Sequence, residues 1–193
     1  MRRIQIPALL ATILAVSCTS AQSGLPDSHR DARYYAAVRD FVSSSIRSEG
    51  GPPDQFILED SVTASDGFEF LAGCVADRAT FTAEERQQIE AWAAHPPFRV
   101  WTNELVPGAR IVKKDTIRII FSGQHRDGWN YFYSHFGHSL NTLGCPLFLR
   151  NYSWCLFYSG NSCGWLCGGG QLALYKKEGD HWVFVKNWGS WVS

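Results

Sequence analysis

The feature that most constrains this chain is the run Cys-Gly-Trp-Leu-Cys-Gly-Gly-Gly at residues 163–170, which lies between two apolar, aromatic segments. The short glycine-containing spacer lets the Cα atoms of Cys163 and Cys167 approach to the roughly 4.4 to 6.8 Å that a disulfide requires. Gly168, Gly169 and Gly170 are expected to adopt positive φ angles in a tight turn. The run therefore predicts a constrained turn, and it specifies no reaction.

The first 21 residues have the layout of a bacterial export signal. Two arginines follow the first methionine, residues 4–16 are mainly apolar, and small residues come next. The apolar stretch is shorter than the roughly 20 residues that span a bilayer. We therefore expect residues 1–21 to be a cleaved signal and the protein to be exported.

Two cleavage sites compete at the end of this signal. The sequence Ala15-Val16-Ser17-Cys18 resembles a lipobox, which predicts cleavage before Cys18 and a lipid on that cysteine. Thr19-Ser20-Ala21 is an ordinary signal-peptidase site, with cleavage after Ala21. We favour lipidation of Cys18, which would anchor the protein to a membrane of the cell envelope. Ordinary cleavage would instead release it to the periplasm or the exterior.

The composition of the mature chain is that of an ordinary globular protein. Residues 22–193 are sufficient for one domain, and the whole sequence, with 45% hydrophobic and 19% charged residues, has a usual balance. The whole chain has 18 basic and 18 acidic residues, so loss of the two signal arginines leaves a slightly acidic protein. Such a charge offers no basic field to recruit nucleic acid.

Five of the six cysteines lie beyond the signal, which is an odd number for complete pairing. An oxidising envelope favours a disulfide between Cys163 and Cys167, with two free thiols as the alternative. Cys145 and Cys155 flank a predicted reversal and could form a second pair. Cys74 would then remain single and buried as a small hydrophobic residue.

Two helices are predicted with clear ends. The first begins near Ser28, carries apolar residues on one helical face, and stops at the glycine and proline pairs of residues 50–53. The second opens with a capping box formed by Thr82 and Glu85 and runs to about Ala94.

The C-terminal half has the alternation typical of strands. Strands are predicted at residues 55–59, 109–114, 116–122, 154–159, 171–176 and 181–186. Residues 182–185 are apolar at every position, which indicates a sheet covered on both faces. Trp129, Phe132 and Phe136 recur at the spacing of a short aromatic helix or turn.

These elements predict an α+β fold. An N-terminal helix and a second helix would pack on a curved antiparallel C-terminal sheet. By analogy alone, a cone-like sheet wrapped around a long helix is the expected form.

Residues 129–193 also resemble the C-terminal region of a family of exported bacterial proteins of unknown function. The resemblance rests on Leu-Gly-Cys-Pro-Leu-Phe at 143–148, the cysteine and glycine turn, a Lys-rich hairpin and a terminal tryptophan strand. Gly144 stands where the family pattern has serine. The resemblance implies an exported (lipo)protein and implies no mechanism.

A catalytic or metal site has one main candidate set. His135 and His138 with Cys163 and Cys167 supply the two imidazoles and two thiols that tetrahedral zinc accepts. Their spacing is not that of a zinc finger, and exported thiols tend to oxidise before they meet metal. A zinc-dependent envelope hydrolase with this His/Cys site is therefore the alternative function.

Other candidate groups have simpler explanations. Gly168 to Gly170 lack the Gly-Lys-Ser/Thr continuation of a phosphate loop, and Ser139 lacks the final glycine of a nucleophile elbow. Glu84, Glu85 and Glu90 are expected to form a solvated helix face.

Binding is the favoured class of function. Six of the eight tryptophans lie in the last third of the chain. Trp154 and Trp182 fall within strands and are expected in the core, whereas Trp165 lies on the turn and is the candidate for ligand contact. We expect a non-catalytic binding or structural protein without a cofactor, whose partner is an envelope polysaccharide or a peptide.

Overall fold

The computed structural model describes residues 28–48, 56–63, 68–122 and 128–193, and this part of the chain has an α+β fold. Five helices pack against one sheet of seven strands within these ranges. This confirms the predicted fold class. The predicted signal, with Cys18, lies outside the described residues.

The sheet is mixed. The helices are α1 (Ser28–Ser48), α2 (Phe68–Ala76), α3 (Ala83–Ala94), α4 (Lys114–Phe121) and α5 (Gly128–His135). The strands are β1 (Ile57–Glu59), β2 (Arg110–Val112), β3 (Leu140–Leu143), β4 (Leu147–Leu149), β5 (Trp154–Gly164), β6 (Cys167–Glu178) and β7 (His181–Val192). The strand order is β2-β1-β3-β5-β6-β7, with β4 beside β5. β1 pairs in parallel with β2 and β3, so the predicted antiparallel pairing holds only from β3 onward.

Helix α1 covers one face of the sheet with the apolar side that its sequence predicts. Val38, Phe41 and Val42 are buried at helical spacing. The ring of Phe41 packs edge-on against Phe157 of β5, with centroids 4.9 Å apart, and against Trp182 of β7, at 5.1 Å. Helix α1 therefore joins the central and edge strands into one core.

Helices α2 and α3 cover the opposite face. Because side chains alternate along a strand, Leu156 of β5 points away from α1. It packs in a cluster with Leu172 and Leu174 of β6, Cys74 of α2 and Ile89 of α3. The central strands are thus buried on both faces.

The start of α3 is the predicted capping box. The backbone N–H of Glu85 donates to Thr82 Oγ1 at 3.2 Å, and the N–H of Thr82 donates to Glu85 Oε2 at 3.0 Å. The prediction that Glu85 lies on a solvated face of this helix is wrong. Glu85 is buried and accepts hydrogen bonds from Arg150 at 2.7 and 3.1 Å. Those bonds lower the pKa of Glu85. Glu84 and Glu90 are exposed as expected.

We expect Thr82→Ala to lower the free energy of unfolding by about 0.5 to 2 kcal/mol, because it leaves a helix N–H without its acceptor. Denaturant midpoints measure the change. Thr82→Ser keeps the hydroxyl and should remain close to the wild type. Equal midpoints for Thr82→Ala and the wild type would show that the cap contributes nothing.

The strand predicted at residues 116–122 is wrong, since this segment lies mostly within helix α4. Strand alternation would place Ile119 beside Ile117, yet Ile119 is exposed. Ile117 and Ile120 are instead buried one helical turn apart and pack in a cluster with Trp129 and Phe132 of α5. Burial against α5 outweighs the preference of β-branched residues for strands.

Strand β7 lies at one edge of the sheet, and most of the residues in its first half are exposed to solvent. The prediction that residues 182–185 are covered on both faces is wrong, because Val183, Phe184 and Val185 are 43%, 51% and 41% exposed. Trp182 packs on Phe41 of helix α1, while the cluster that includes α2 takes in Trp188 further along.

Candidate functional site

The hairpin of β5 and β6 ends in the turn that the cysteines predict. Cys163 and Cys167 lie at disulfide distance, with Cα atoms 5.0 Å apart. Tyr133 of α5 donates to the carbonyl of Cys163 at 2.6 Å, which ties the hairpin to a helix. Trp165 and Leu166 form the tip and are 79% and 88% exposed. The expected exposure of Trp165 is therefore confirmed.

The glycine run has another role than the one predicted. Gly168, Gly169 and Gly170 lie within β6 and do not have positive φ, whereas Gly164 takes φ 156° just before the tip. At Gly170 a Cβ atom would collide with the indole of Trp191. Because Gly170 has no side chain, the indole of Trp191 on the neighbouring strand β7 can lie against β6.

The proposed zinc ligands do not converge. Cys163 and Cys167 lie against each other, and His135 stacks on Tyr131 with ring centroids 3.9 Å apart. His138 lies beside the ring of Tyr133. Within the four described ranges, no group of three or more His, Cys, Asp and Glu side chains could hold a metal ion.

The predicted disulfide between Cys145 and Cys155 is also wrong. Cys145 and Cys155 are free and buried, as is Cys74. The reversal pairs Phe148 with Cys155, and the sulfur of Cys145 lies 3.1 Å from the hydroxyl of Tyr34. Burial raises the pKa of Cys145 to about 11 and that of Cys74 to about 12. These thiols are therefore protonated at neutral pH and are poor nucleophiles.

A cavity of about 330 Å³ lies on the α1 face of the sheet, beyond the end of the aromatic core. Its apolar wall is formed by Val42, Phe56, Leu143, Phe157 and Tyr175, and its polar side chains are Asn141, Ser159, Asn161, Gln171 and Ser190. This volume is within the range of small-ligand sites.

Strand register builds the polar floor of this cavity. Asn141 of β3 lies opposite Asn161 of β5. In the next row, Ser159 of β5 lies opposite Gln171 of β6, which in turn lies opposite Ser190 of β7. Residues directly opposite each other share a face of the sheet, so polar groups from four strands converge.

The two asparagines hold each other in a defined orientation. The amide of Asn141 donates to the carbonyl of Ile57 at 3.0 Å, and its oxygen accepts from Asn161 Nδ2 at 2.9 Å. This leaves Asn161 Oδ1 as an acceptor for a ligand. Among the described residues, Asn161 Oδ1, Ser159 Oγ and Gln171 Nε2 have no hydrogen-bond partner.

The chemistry of the cavity suits binding. Its described lining contains no Asp, Glu, His, Cys, Lys or Arg. None of the described lining residues is therefore a base that could activate Ser159 as a nucleophile. The arrangement offers oriented amides and hydroxyls beside aromatic rings, as in sites that hold a neutral ligand.

Sequence reasoning missed this cavity, although one signal of it is visible. Phe157, Ser159 and Asn161 are spaced two residues apart along β5 and therefore lie on the same face of the sheet. When two polar residues follow an apolar residue at this spacing, the buried face of the strand is expected to change from apolar to polar at that point. The partners on β3 and β7 depend on register and have no local signal.

No protein-family model, curated protein or solved structure matches the chain. Of the helices described, none is long and apolar enough to cross a membrane.

Replacing both hairpin cysteines by serine should mainly loosen the tip. The cross-link closes a very short loop, so we expect the double variant Cys163→Ser/Cys167→Ser to lose less than about 3 kcal/mol of stability. Amide exchange at residues 164–167 should accelerate, and reductant should produce the same change in the wild type only. Alkylation of both thiols in the native, unreduced protein would contradict the bond.

Proposed function

We propose that this protein is an exported, non-catalytic binding protein of the cell envelope, anchored to a membrane by a lipid on Cys18. The signal-like residues 1–21 and the lipobox-like Ala15 to Cys18 support export and anchoring. The resemblance of residues 129–193 to exported bacterial proteins supports membership in that family and the same compartment.

The observation that carries the binding function is the uncharged polar cavity. An envelope hydrolase of the His/Cys type would need imidazole, thiol or carboxylate groups that converge in a cleft. The described lining has none of these and instead combines amides, hydroxyls and rings. Its ligand is therefore a neutral, polar part of an envelope polysaccharide or a peptide.

Trp165 supplies a second contact in this proposal. It lies at the tip of the hairpin whose strands form the cavity floor, four residues and at most about 13 Å along the chain from Asn161. An exposed indole on a cross-linked turn presents a large apolar surface at low entropic cost. A long ligand in the cavity could extend to this ring.

Two assays on the same preparation test the function. Calorimetric titration with neutral oligosaccharides and with short uncharged peptides should give saturable binding to the mature protein. Chromogenic ester, amide and glycoside substrates should remain intact. Turnover that is abolished by a chelator or by His138→Ala would contradict the proposal and support the hydrolase.

Lipidation of Cys18 is tested separately. Mass spectrometry of the mature N-terminus should find a chain that begins at Cys18 with a diacylglyceryl group, because stable anchoring needs two acyl chains. Cys18→Ser should move the protein from the membrane to the soluble fraction. An unmodified chain beginning at Gln22 would contradict the anchor and leave export intact.

A further inference from the structure

We infer that the cavity binds a sugar ring of a neutral saccharide, with Ser159, Asn161 and Gln171 as its hydrogen-bonding residues. This rests on the proposed binding function and names the ligand class of the same site. The three side chains come from two neighbouring strands and lie on one face of the sheet.

The described lining is unfavourable for charged ligands. An anion in this cavity would meet no cationic side chain among the described lining residues, and a cation would meet no carboxylate. Burial of an unpaired charge costs far more free energy than one hydrogen bond contributes. A wholly apolar ligand is unfavourable too, because it would leave the amide of Gln171 and the oxygen of Asn161 without partners.

The polar groups match hydroxyls in kind and in spacing. Asn161 Oδ1 accepts, Gln171 Nε2 donates, and Ser159 Oγ does both, whereas a sugar hydroxyl can donate and accept. Neighbouring strands lie about 4.8 Å apart and alternate residues of one strand about 6.6 Å apart, so the three groups fall within the reach of one sugar ring.

Aromatic residues border the cavity beside its polar groups. A pyranose has hydroxyls around its rim and apolar C–H groups on its faces. Phe157 and Tyr175 lie on the same face of β5 and β6 as Ser159 and Gln171, and Phe56 also lines the cavity, so the lining offers aromatic contacts for a ring face. The volume of about 330 Å³ is at the lower end of the range for ligand sites, which indicates one or two rings.

A peptide fits the same floor less well. Extended peptides are usually held by free backbone groups at the edge of a sheet. Here the floor strand β5 pairs with β3 on one side and with β6 on the other, and β6 also pairs with β7. Of the described floor strands only edge strand β7 keeps an unpaired side, so on β3, β5 and β6 the hydrogen bonds come from side chains, which favours a ligand recognised through hydroxyls.

Titration of the mature protein with neutral oligosaccharides of glucose, galactose, mannose and N-acetylglucosamine tests this inference. At least one series should bind. Ser159→Ala and Gln171→Met should each weaken that binding by about three- to tenfold, the value of one hydrogen bond. Ser162→Ala, on the opposite face of β5, is the matched control and should bind as the wild type does.

Each outcome of this titration has a defined meaning. Thermal midpoints of Ser159→Ala and Gln171→Met should stay near the wild type, because neither change removes a buried hydrogen bond of the fold. Weakened binding at an unchanged midpoint supports the inference. Binding of uncharged peptides with no response to any saccharide overturns the ligand class and leaves the binding function standing. Failure of both probe classes overturns the inference together with the binding function.

Discussion

Replacement of Phe41 by alanine should lower the free energy of unfolding by about 3 to 5 kcal/mol, the largest effect expected of a single change here. Phe41 is fully buried. Its ring lies edge-on to Phe157, Tyr175 and Trp182, at centroid distances of 4.9, 5.3 and 5.1 Å. Removal of the ring leaves a cavity between α1 and three strands that a helix and a paired sheet cannot close. Chemical denaturation measures the loss.

Phe184→Ala is the matched control for this experiment. Phe184 is also aromatic but is 51% exposed on edge strand β7. Its removal should cost no more than about 1 kcal/mol. Equal losses for Phe41→Ala and Phe184→Ala would show that α1 does not pack on the sheet as described.

Asp77→Ala should lower the free energy of unfolding by about 2 to 4 kcal/mol, because one carboxylate holds together two parts of the fold. Asp77 follows α2 and accepts hydrogen bonds from Lys186 at 2.7 Å and from Trp188 at 3.1 Å, both on β7. It also accepts from the N–H of Thr80 at 3.0 Å and its hydroxyl at 2.8 Å. Asp115→Ala removes a carboxylate from an exposed ion pair with Arg118 and should cost at most about 1 kcal/mol.

The stability that the Asp77 carboxylate contributes should decrease as the pH falls. The bond from Lys186, followed by that from Thr80, holds the pKa of Asp77 far below its usual range. A depressed folded-state pKa gives stability that is present above the unfolded value of about 3.9 and is lost as the pH falls toward the folded value. The difference between the wild type and Asp77→Ala should therefore shrink below about pH 4. A constant difference down to pH 2 would contradict the role of the ionised carboxylate.

Local signals in the sequence were enough to predict much of the fold. The capping box at Thr82 and the apolar face around Phe41 depend only on neighbouring residues, and both are as expected. Helix α4 was misread because its isoleucines fit strand alternation and helical spacing alike, and only the presence of α5 decides between them. Helix α2 was not predicted.

The candidate site was harder to predict because it depends on register. The amide of Asn141 faces that of Asn161 only when β3 and β5 pair at one alignment, and a shift by one residue would turn Asn161 to the other face. Exposure of Trp165 was predictable, since two cysteines and adjacent glycines mark its turn. Glu85 was misjudged because its partner Arg150 lies 65 residues away.

The contact between α1 and β7 also bears on when this chain can fold. Asp40 of α1 accepts a hydrogen bond from Trp182, 142 residues further along, and the neighbouring Phe41 packs on the same ring. Such distant contacts contribute only after a long loop has closed, which slows folding. We expect the nascent chain to lack a complete core until β7 has left the ribosome, and this delay would keep the chain loose enough for the export proposed above.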